Sequence, residues 1–308
     1  MTLQQLEYIL AVDKHRHFTK AAEQCFVTQP TLSAMIQKLE DELKVKIFDR
    51  NQQPICPTQV GALIIRQACE ILSQVEKVKT IIEEERHEVG GKFRLGILPT
   101  IAPYLLPRFF QQMIKKYPNL DVTVAEMKTP DIKSALLTGE IDAGILAELS
   151  DMDMYNHTHL FYEQFYAYVS RNDGLYGKKV IKTTDLSGEL LWLLDEGHCF
   201  RDQMVKFCSI KSAHDSRLTY RLGSMETFMR MVEGGKGVTF VPELAVHQMS
   251  DAQKELVRPF AIPTPARRII MLTDKNYIRQ TVIDAVQAEI QASVPKDMLA
   301  LKPSQVAI

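Results

Sequence analysis

Residues 18–33 read Phe18-Thr19-Lys20-Ala21-Ala22-Glu23-Gln24-Cys25-Phe26-Val27-Thr28-Gln29-Pro30-Thr31-Leu32-Ser33. Thr19 reads as an N-cap before a short helical run, Lys20 to Gln24, because a cap hydroxyl accepts from a first-turn N–H that has no partner in the helix. Cys25-Phe26-Val27 then turns the chain to Thr28, a second candidate cap. Pro30 falls in the first turn that follows, where a missing N–H costs little. The helix so begun carries Leu32, Ile36, Leu39 and Leu43 at steps of four, three and four, which predicts one buried stripe. Opposite that stripe lie Pro30, Thr31, Ala34, Gln37 and Lys38.

Outward from this stretch, Leu3, Leu6, Ile9 and Leu10 space a preceding apolar helix face. Val45–Phe48 and Ile55–Thr58 predict a small hairpin around Arg50-Asn51-Gln52-Gln53-Pro54. Two short helices about a tight turn, followed by a hairpin, describe a winged helix-turn-helix whose second helix fits the DNA major groove. An ordinary helical packing unit shares the same spacing. On the DNA-reading alternative the candidate contacts are Thr28, Gln29, Pro30, Thr31, Ser33, Gln37, Lys38 and, from the wing, Arg50. Gln can bond a base edge in two places, whereas Thr, Lys and Arg suit phosphates or guanine.

From Thr58 a long helix is predicted, with Ile64, Ala68, Ile71, Val75, Val78 and Ile82 four and three apart as a heptad seam. It reads as a dimerisation helix closing at Glu83-Glu84-Glu85-Arg86 and Gly90-Gly91, although a helix packed on its own domain has the same pattern. Beyond Gly91 strands and helices alternate. Strands are expected over Phe93–Leu98, Val122–Met127, Ala143–Leu146, Phe165–Ser170, Leu190–Leu194 and Gly237–Val241. Helices are expected from Pro103 to about Tyr117, Pro130–Leu137, Met225–Val232 and roughly Tyr277–Ala292. This predicts an α/β class with parallel sheets.

The chain has 308 residues, enough for two or three domains, and its 45% hydrophobic fraction is that of a globular protein. Its 37 basic and 38 acidic residues nearly cancel, so binding to nucleic acid requires a local surface rather than a whole-molecule field. No apolar run approaches the roughly 18 residues of a membrane span. The start MTLQQLEYILAVDKHRH lacks the pattern of a signal peptide. A cytoplasmic protein is therefore expected, in which the five scattered cysteines stay reduced unless one pair acts as a transient sensor. Cys25 reads as a core residue, and Cys56 and Cys69 as structural. No metal motif, P-loop or nucleophile elbow is present, so neither a metal nor a cofactor is expected.

One segment is a candidate for redox chemistry: Gly197-His198-Cys199-Phe200-Arg201-Asp202-Gln203-Met204-Val205-Lys206-Phe207-Cys208. Eight intervening residues are too many for a zinc knuckle. In a helix the two thiols stand on opposite faces, roughly 13 Å apart along the axis, whereas a disulfide needs Cα atoms within about 7 Å. Closing the pair therefore requires the helix to come apart. His198 and Arg201 near Cys199 favour a thiolate there, and Cys208 between Phe207 and Ile210 reads as buried. Read from spacing alone, two small core thiols that never react are the favoured reading.

Residues 18–33, the continuation Leu39-Glu40-Asp41-Glu42-Leu43, and Glu233-Gly234-Gly235-Lys236-Gly237-Val238 before Val241-Pro242 resemble the LysR-type regulators over the whole chain. Lys44, Ala34 and Gln53 depart from that pattern where glycine, arginine and a basic wing residue are usual. The resemblance implies a winged helix-turn-helix over 1–58, a linker helix over 59–89, and a periplasmic-binding-protein-like effector domain over 90–308. Its two α/β subdomains would be about 90–163 with 267–308, and about 164–266. The Cys199 segment is similar to the hydrogen-peroxide-sensing OxyR branch of the family. That likeness implies a peroxidatic Cys199, a resolving Cys208, and a peroxide pocket of Thr100, Thr129, His198, Asp202 and Arg267, with Arg268 as the alternative arginine. It also implies a transcription activator rather than an enzyme. The implied partners are double-stranded DNA, RNA polymerase, hydrogen peroxide, a dithiol reductant and further copies of the chain as homodimer and homotetramer. The rival readings are a regulator binding a small metabolite between the effector subdomains, and a thiol peroxidase.

Overall fold

The computed structural model describes residues 1–50, 52–85, 89–149, 152–186, 190–194, 199–208 and 224–308, with the backbone alone for 76, 77, 79–85 and 199. The chain divides into two compact units near residue 86.

The first unit packs α1 (Leu3–His15), α2 (Phe18–Gln24) and α3 (Gln29–Leu43) against a two-stranded hairpin, β1 (Phe48–Asp49) and β2 (Cys56–Pro57), and the start of α4 (Gln59–Glu85). The core stripe of α3 is Leu32, Ile36 and Leu39, all fully buried, while Leu43 is 36% exposed. In place of the expected fourth member the helix buries Glu40, three residues earlier. Leu3 likewise faces solvent, and α1 buries Leu6, Tyr8, Ile9 and Val12 instead. The cap of α2 is His17, not Thr19: the imidazole Nδ1 accepts from the Thr19 N–H at 3.2 Å, which places Thr19 inside the first turn. Thr28 caps α3 as expected, accepting from Thr31 N–H. The hairpin pairs only Phe48 with Pro57 and Asp49 with Cys56. Along α4, Ala68 is buried, Ile64, Ile71 and Val75 are half-buried, and Val78 is exposed. The Ile82 side chain lies outside the described residues.

The second unit contains β3 (Gly91–Ile97), α5 (Ala102–Lys116), β4 (Leu120–Glu126), α6 (Thr129–Thr138), β5 (Ala143–Ala147), β6 (Tyr155–Val169) and α7 (Cys199–Phe207). It continues with α8 (Met225–Gly234), β7 (Val238–Pro242), α9 (Glu243–Val246), α10 (Asp251–Lys254), β8 (Val257–Pro259), β9 (Thr264–Asp274), α11 (Gln280–Ser293) and β10 (Gln305–Ala307). Its sheet is mixed rather than parallel. β3 runs parallel to β4 and β5, but β9 is antiparallel to both β5 and β6. The long strand β6 pairs β9 from Tyr155 to Gln164 and then β7 and β8 from Phe165 onward. It thereby feeds two sheets, as β9 feeds the first on its return. β9 and the first half of β6 go unread in the sequence, and Leu190–Leu194 forms only a single bridge, Leu191 to Val238. Gly237 beside that bridge has φ +108, and a side chain there would meet the Leu190 carbonyl at 2.5 Å.

Candidate functional site

The β3–α5 turn, the middle of β6, the start of β9 and the first turn of α7 meet around one side chain, Arg267. Its guanidinium has no exposure and forms an ion pair with Glu163, which is 1% exposed. Nε and Nη2 both donate to Glu163 Oε2, at 2.9 and 2.7 Å. Nη1 donates to Thr100 Oγ1 at 3.0 Å and Nη2 to the Thr100 carbonyl at 3.2 Å. The rings of Phe165 and Phe200 lie 5.3 and 5.5 Å from the guanidinium carbon, close enough for cation–π attraction. Phe200 is the residue after Cys199, so the opening turn of α7 rests on the arginine. Burial pushes the Glu163 carboxyl up from its ordinary range, against the pull of Arg267 and of the Leu244 N–H that bonds its Oε1 at 3.2 Å.

Arg268 points away from this cluster, donating to Glu148 Oε1 at 2.8 Å and to His159 Nδ1 at 3.3 Å. Side chains alternate along a strand, and the alternation separates the two arginines. Thr129, at the head of α6, is buried, and its hydroxyl has no partner among the described residues. Asp202 lies on the exposed side of α7, 3.9 Å from Arg201. Thr100 and Arg267 are therefore in contact, and Asp202 is turned to solvent. His198 and the Cys199 side chain lie outside the described residues.

Helix α7 spans Cys199–Phe207, and the Cys208 N–H bonds the Met204 carbonyl at 2.9 Å, extending the helical ladder by one residue. Phe200, Gln203, Met204 and Cys208 form its buried face. Nine helical steps separate positions 199 and 208 by about 13 Å of rise. Burial pushes the Cys208 thiol up to about 12, so it is protonated at neutral pH. Gln203 Nε2 donates to the Ile308 carbonyl at 2.7 Å. Cys25 is half-buried against the edge of the first unit's core; burial and then the Glu7 charge push its thiol up. Cys56 donates to the Pro54 carbonyl, and Cys69 is half-buried.

On the first unit Thr28, Gln29, Pro30, Thr31, Gln37 and Lys38 are exposed. The Thr28 and Thr31 hydroxyls bond each other at 2.8 Å. Arg50 lies over Phe18, donates to Ser33 Oγ at 3.1 Å and pairs with Glu40 at 3.4 Å, with 37% of its side chain exposed. Glu40 also accepts from the backbone of Ile47 and Phe48, at 2.8 and 3.3 Å, fixing where the hairpin leaves α3. Glu40 and Glu163 are the organising residues that sequence reasoning missed. The available signal was weak at Glu40, the first of three successive acids after Leu39, and clearer at Glu163, a lone acid in an apolar stretch.

A family model described as the bacterial regulatory helix-turn-helix protein, lysR family, matches residues 3–62, and one described as the LysR substrate binding domain matches 86–294. The chain belongs to the LysR family. LysR proteins are transcription regulators rather than enzymes, and the mixed α/β unit is their effector domain. Among LysR relatives, the chain is similar to the hydrogen peroxide-inducible genes activator of Dickeya chrysanthemi, 34% identical over 88% of this chain and 89% of that one. The fold is similar to full-length OxyR of Pseudomonas aeruginosa, with TM-score 0.77 and 32% identity over 96% of this chain and 99% of that one. It is also similar to OxyR of Porphyromonas gingivalis, with TM-score 0.67 and 44% identity over 70% and 99%.

Proposed function

We propose that the protein is a DNA-binding transcription regulator, mainly an activator, that senses hydrogen peroxide through Cys199 and switches by a Cys199–Cys208 disulfide. The observation that carries this reading is the placement of α7. It opens at Cys199, lays Phe200 on Arg267 beside Thr100, and ends against a buried, protonated Cys208. The Cys199 thiolate attacks one peroxide oxygen. An S–O bond forms as the O–O bond breaks, and the leaving hydroxide takes a proton to become water. The Cys208 sulfur, losing its proton, then attacks the sulfenic sulfur. The S–S bond forms and a second hydroxide leaves, protonated to water. One peroxide is reduced to two waters as two thiols are oxidised. The helical separation of the two positions requires α7 to unwind before the second step, which makes the disulfide a conformational signal.

In this reading Thr100 and Thr129 orient the peroxide, His198, or Asp202 from its exposed position on α7, helps deliver a proton to the leaving oxygen, and Arg267 favours the thiolate. Residues 1–58 read DNA through α3 and the wing, 59–89 join two copies, and pairs assemble into a tetramer. RNA polymerase is the partner for activation, a cellular dithiol the reductant, and the cytoplasm the compartment. No helix among the described residues is long and apolar enough to cross a membrane.

The test exposes the reduced protein to low peroxide, maps its thiols by non-reducing mass spectrometry and footprints its DNA before and after. A Cys199–Cys208 linkage and an altered footprint are expected, both absent in Cys199→Ser. A Cys199→Ser variant that still switches, or a footprint moved only by a saturable metabolite, sinks the reading.

A further inference from the structure

Glu163 is the one acid in β6, and it is buried in the middle of the strand. A guanidinium has five N–H donors. Two of Arg267's are spent on Glu163 Oε2, one on the Thr100 carbonyl and one on Thr100 Oγ1. One N–H remains, on Nη1, without an acceptor among the described residues. The Thr100 hydroxyl holds an N–H on its oxygen, so its own hydrogen is left to donate. These two hydrogens issue from atoms 3.0 Å apart. The guanidinium is held on several sides. Glu163 is itself tied at Oε1 by the Leu244 N–H, and Phe165 and Phe200 stand against the guanidinium.

We propose that Glu163 is a positioning residue of the peroxide site. By taking the Nε edge of Arg267 it aims the spare Nη1–H and the Thr100 hydroxyl hydrogen at a common point, where a peroxide oxygen gaining negative charge accepts both. The inference rests on the reading of Cys199 as the peroxidatic thiol. Glu163 also offsets part of the Arg267 charge, so the arginine acts through directed hydrogens as well as charge.

The test uses the full-length protein and compares two reagents. Hydrogen peroxide reads the oriented site, whereas iodoacetamide reads only the thiolate fraction of Cys199. Glu163→Asp keeps the charge but shortens the reach by one methylene. It is expected to slow peroxide oxidation by about ten- to a hundredfold, with iodoacetamide alkylation held within about twofold. Glu163→Gln keeps the shape but removes the charge, and is expected to move the pH midpoint of alkylation downward, because Arg267 then acts on the thiolate unpartnered. Should Glu163→Gln fail to fold, Glu163→Asp decides alone. A Glu163→Asp protein that reacts with peroxide at the wild-type rate overturns the inference. Arg267→Lys separates the two levels: slow oxidation there with unaffected Glu163 variants removes the role of Glu163 alone, while wild-type oxidation in Arg267→Lys removes the arginine from the site and the inference with it.

Discussion

Arg267 and Arg268 are chain neighbours in opposite surroundings, one fully buried on Glu163 and the other about one-third exposed on Glu148. Removing one partner of a buried pair strands the other charge, so Arg267→Ala is expected to lose about 3–5 kcal/mol of stability. Arg268→Ala is expected to lose no more than about 1 kcal/mol. Urea unfolding of the two variants checks both. Cys208 gives a pH signature. Its folded thiol is held at about 12 against an ordinary value of 9.0. Above the ordinary value the unfolded chain gives up a proton that the folded chain keeps, so stability is full below that pH and falls as pH rises from there toward 12. Thermal unfolding of the reduced protein should show this slope, and Cys208→Ala should lessen it, with the remainder coming from Tyr104, Tyr166 and Tyr168, whose phenols burial also pushes up. The sequence displayed the adjacent arginines but not their separation. Pro265-Ala266-Arg267-Arg268 carries too much charge to read as a buried strand, and without the strand the alternation that sorts the two residues is invisible.

Helix α3 ends with Lys44 at φ 56, a left-handed residue where the resemblance leads one to expect glycine. Lys44→Gly should therefore stabilise the first unit by about 1 kcal/mol, read as a rise in Tm. In α7, Lys206 is exposed. Lys206→Gly costs the helix about 1 kcal/mol without touching the buried face. If unwinding limits disulfide closure, the sulfenic intermediate of this variant should close about fivefold faster in stopped flow. An unchanged rate would place the barrier elsewhere. The helices were legible because their apolar steps are regular and their caps are chemical. Half of β6 was not, since Tyr155-Asn156-His157-Thr158-His159 puts polar groups where alternation should show, and a register shift falls between His159 and Phe161. Helix α7 entered the sequence reading only as the condition that separates the two thiols; of the floor beneath it, Thr100 and Arg267 were named by resemblance alone and Glu163 not at all, because the three are far apart in sequence and meet only through sheet topology.

With basic and acidic residues nearly balanced, DNA affinity needs a local surface; on the proposed reading that surface is the α3 face, and its contacts separate by type. Lys38→Ala should weaken binding to all sequences alike and lower the salt slope by about one. Gln37→Ala should instead reduce discrimination between operator and mismatched DNA by about 1–3 kcal/mol. Anisotropy titrations at several salt concentrations distinguish these. The mixed sheet has a consequence for how the molecule is made. β5 has β3 on one side, but its other edge is filled only by Ile269–Leu272 of β9. On a ribosome that edge waits while about 120 further residues are added, roughly 6–24 s at ordinary elongation rates. Throughout that interval the apolar strand Ala143–Ala147, wholly buried in the finished fold, stands open to any other strand it meets. Synthesis of this regulator should accordingly depend on holdase chaperones far more than the reduced, folded protein does, and slowed translation between residues 148 and 268 should lower its soluble yield.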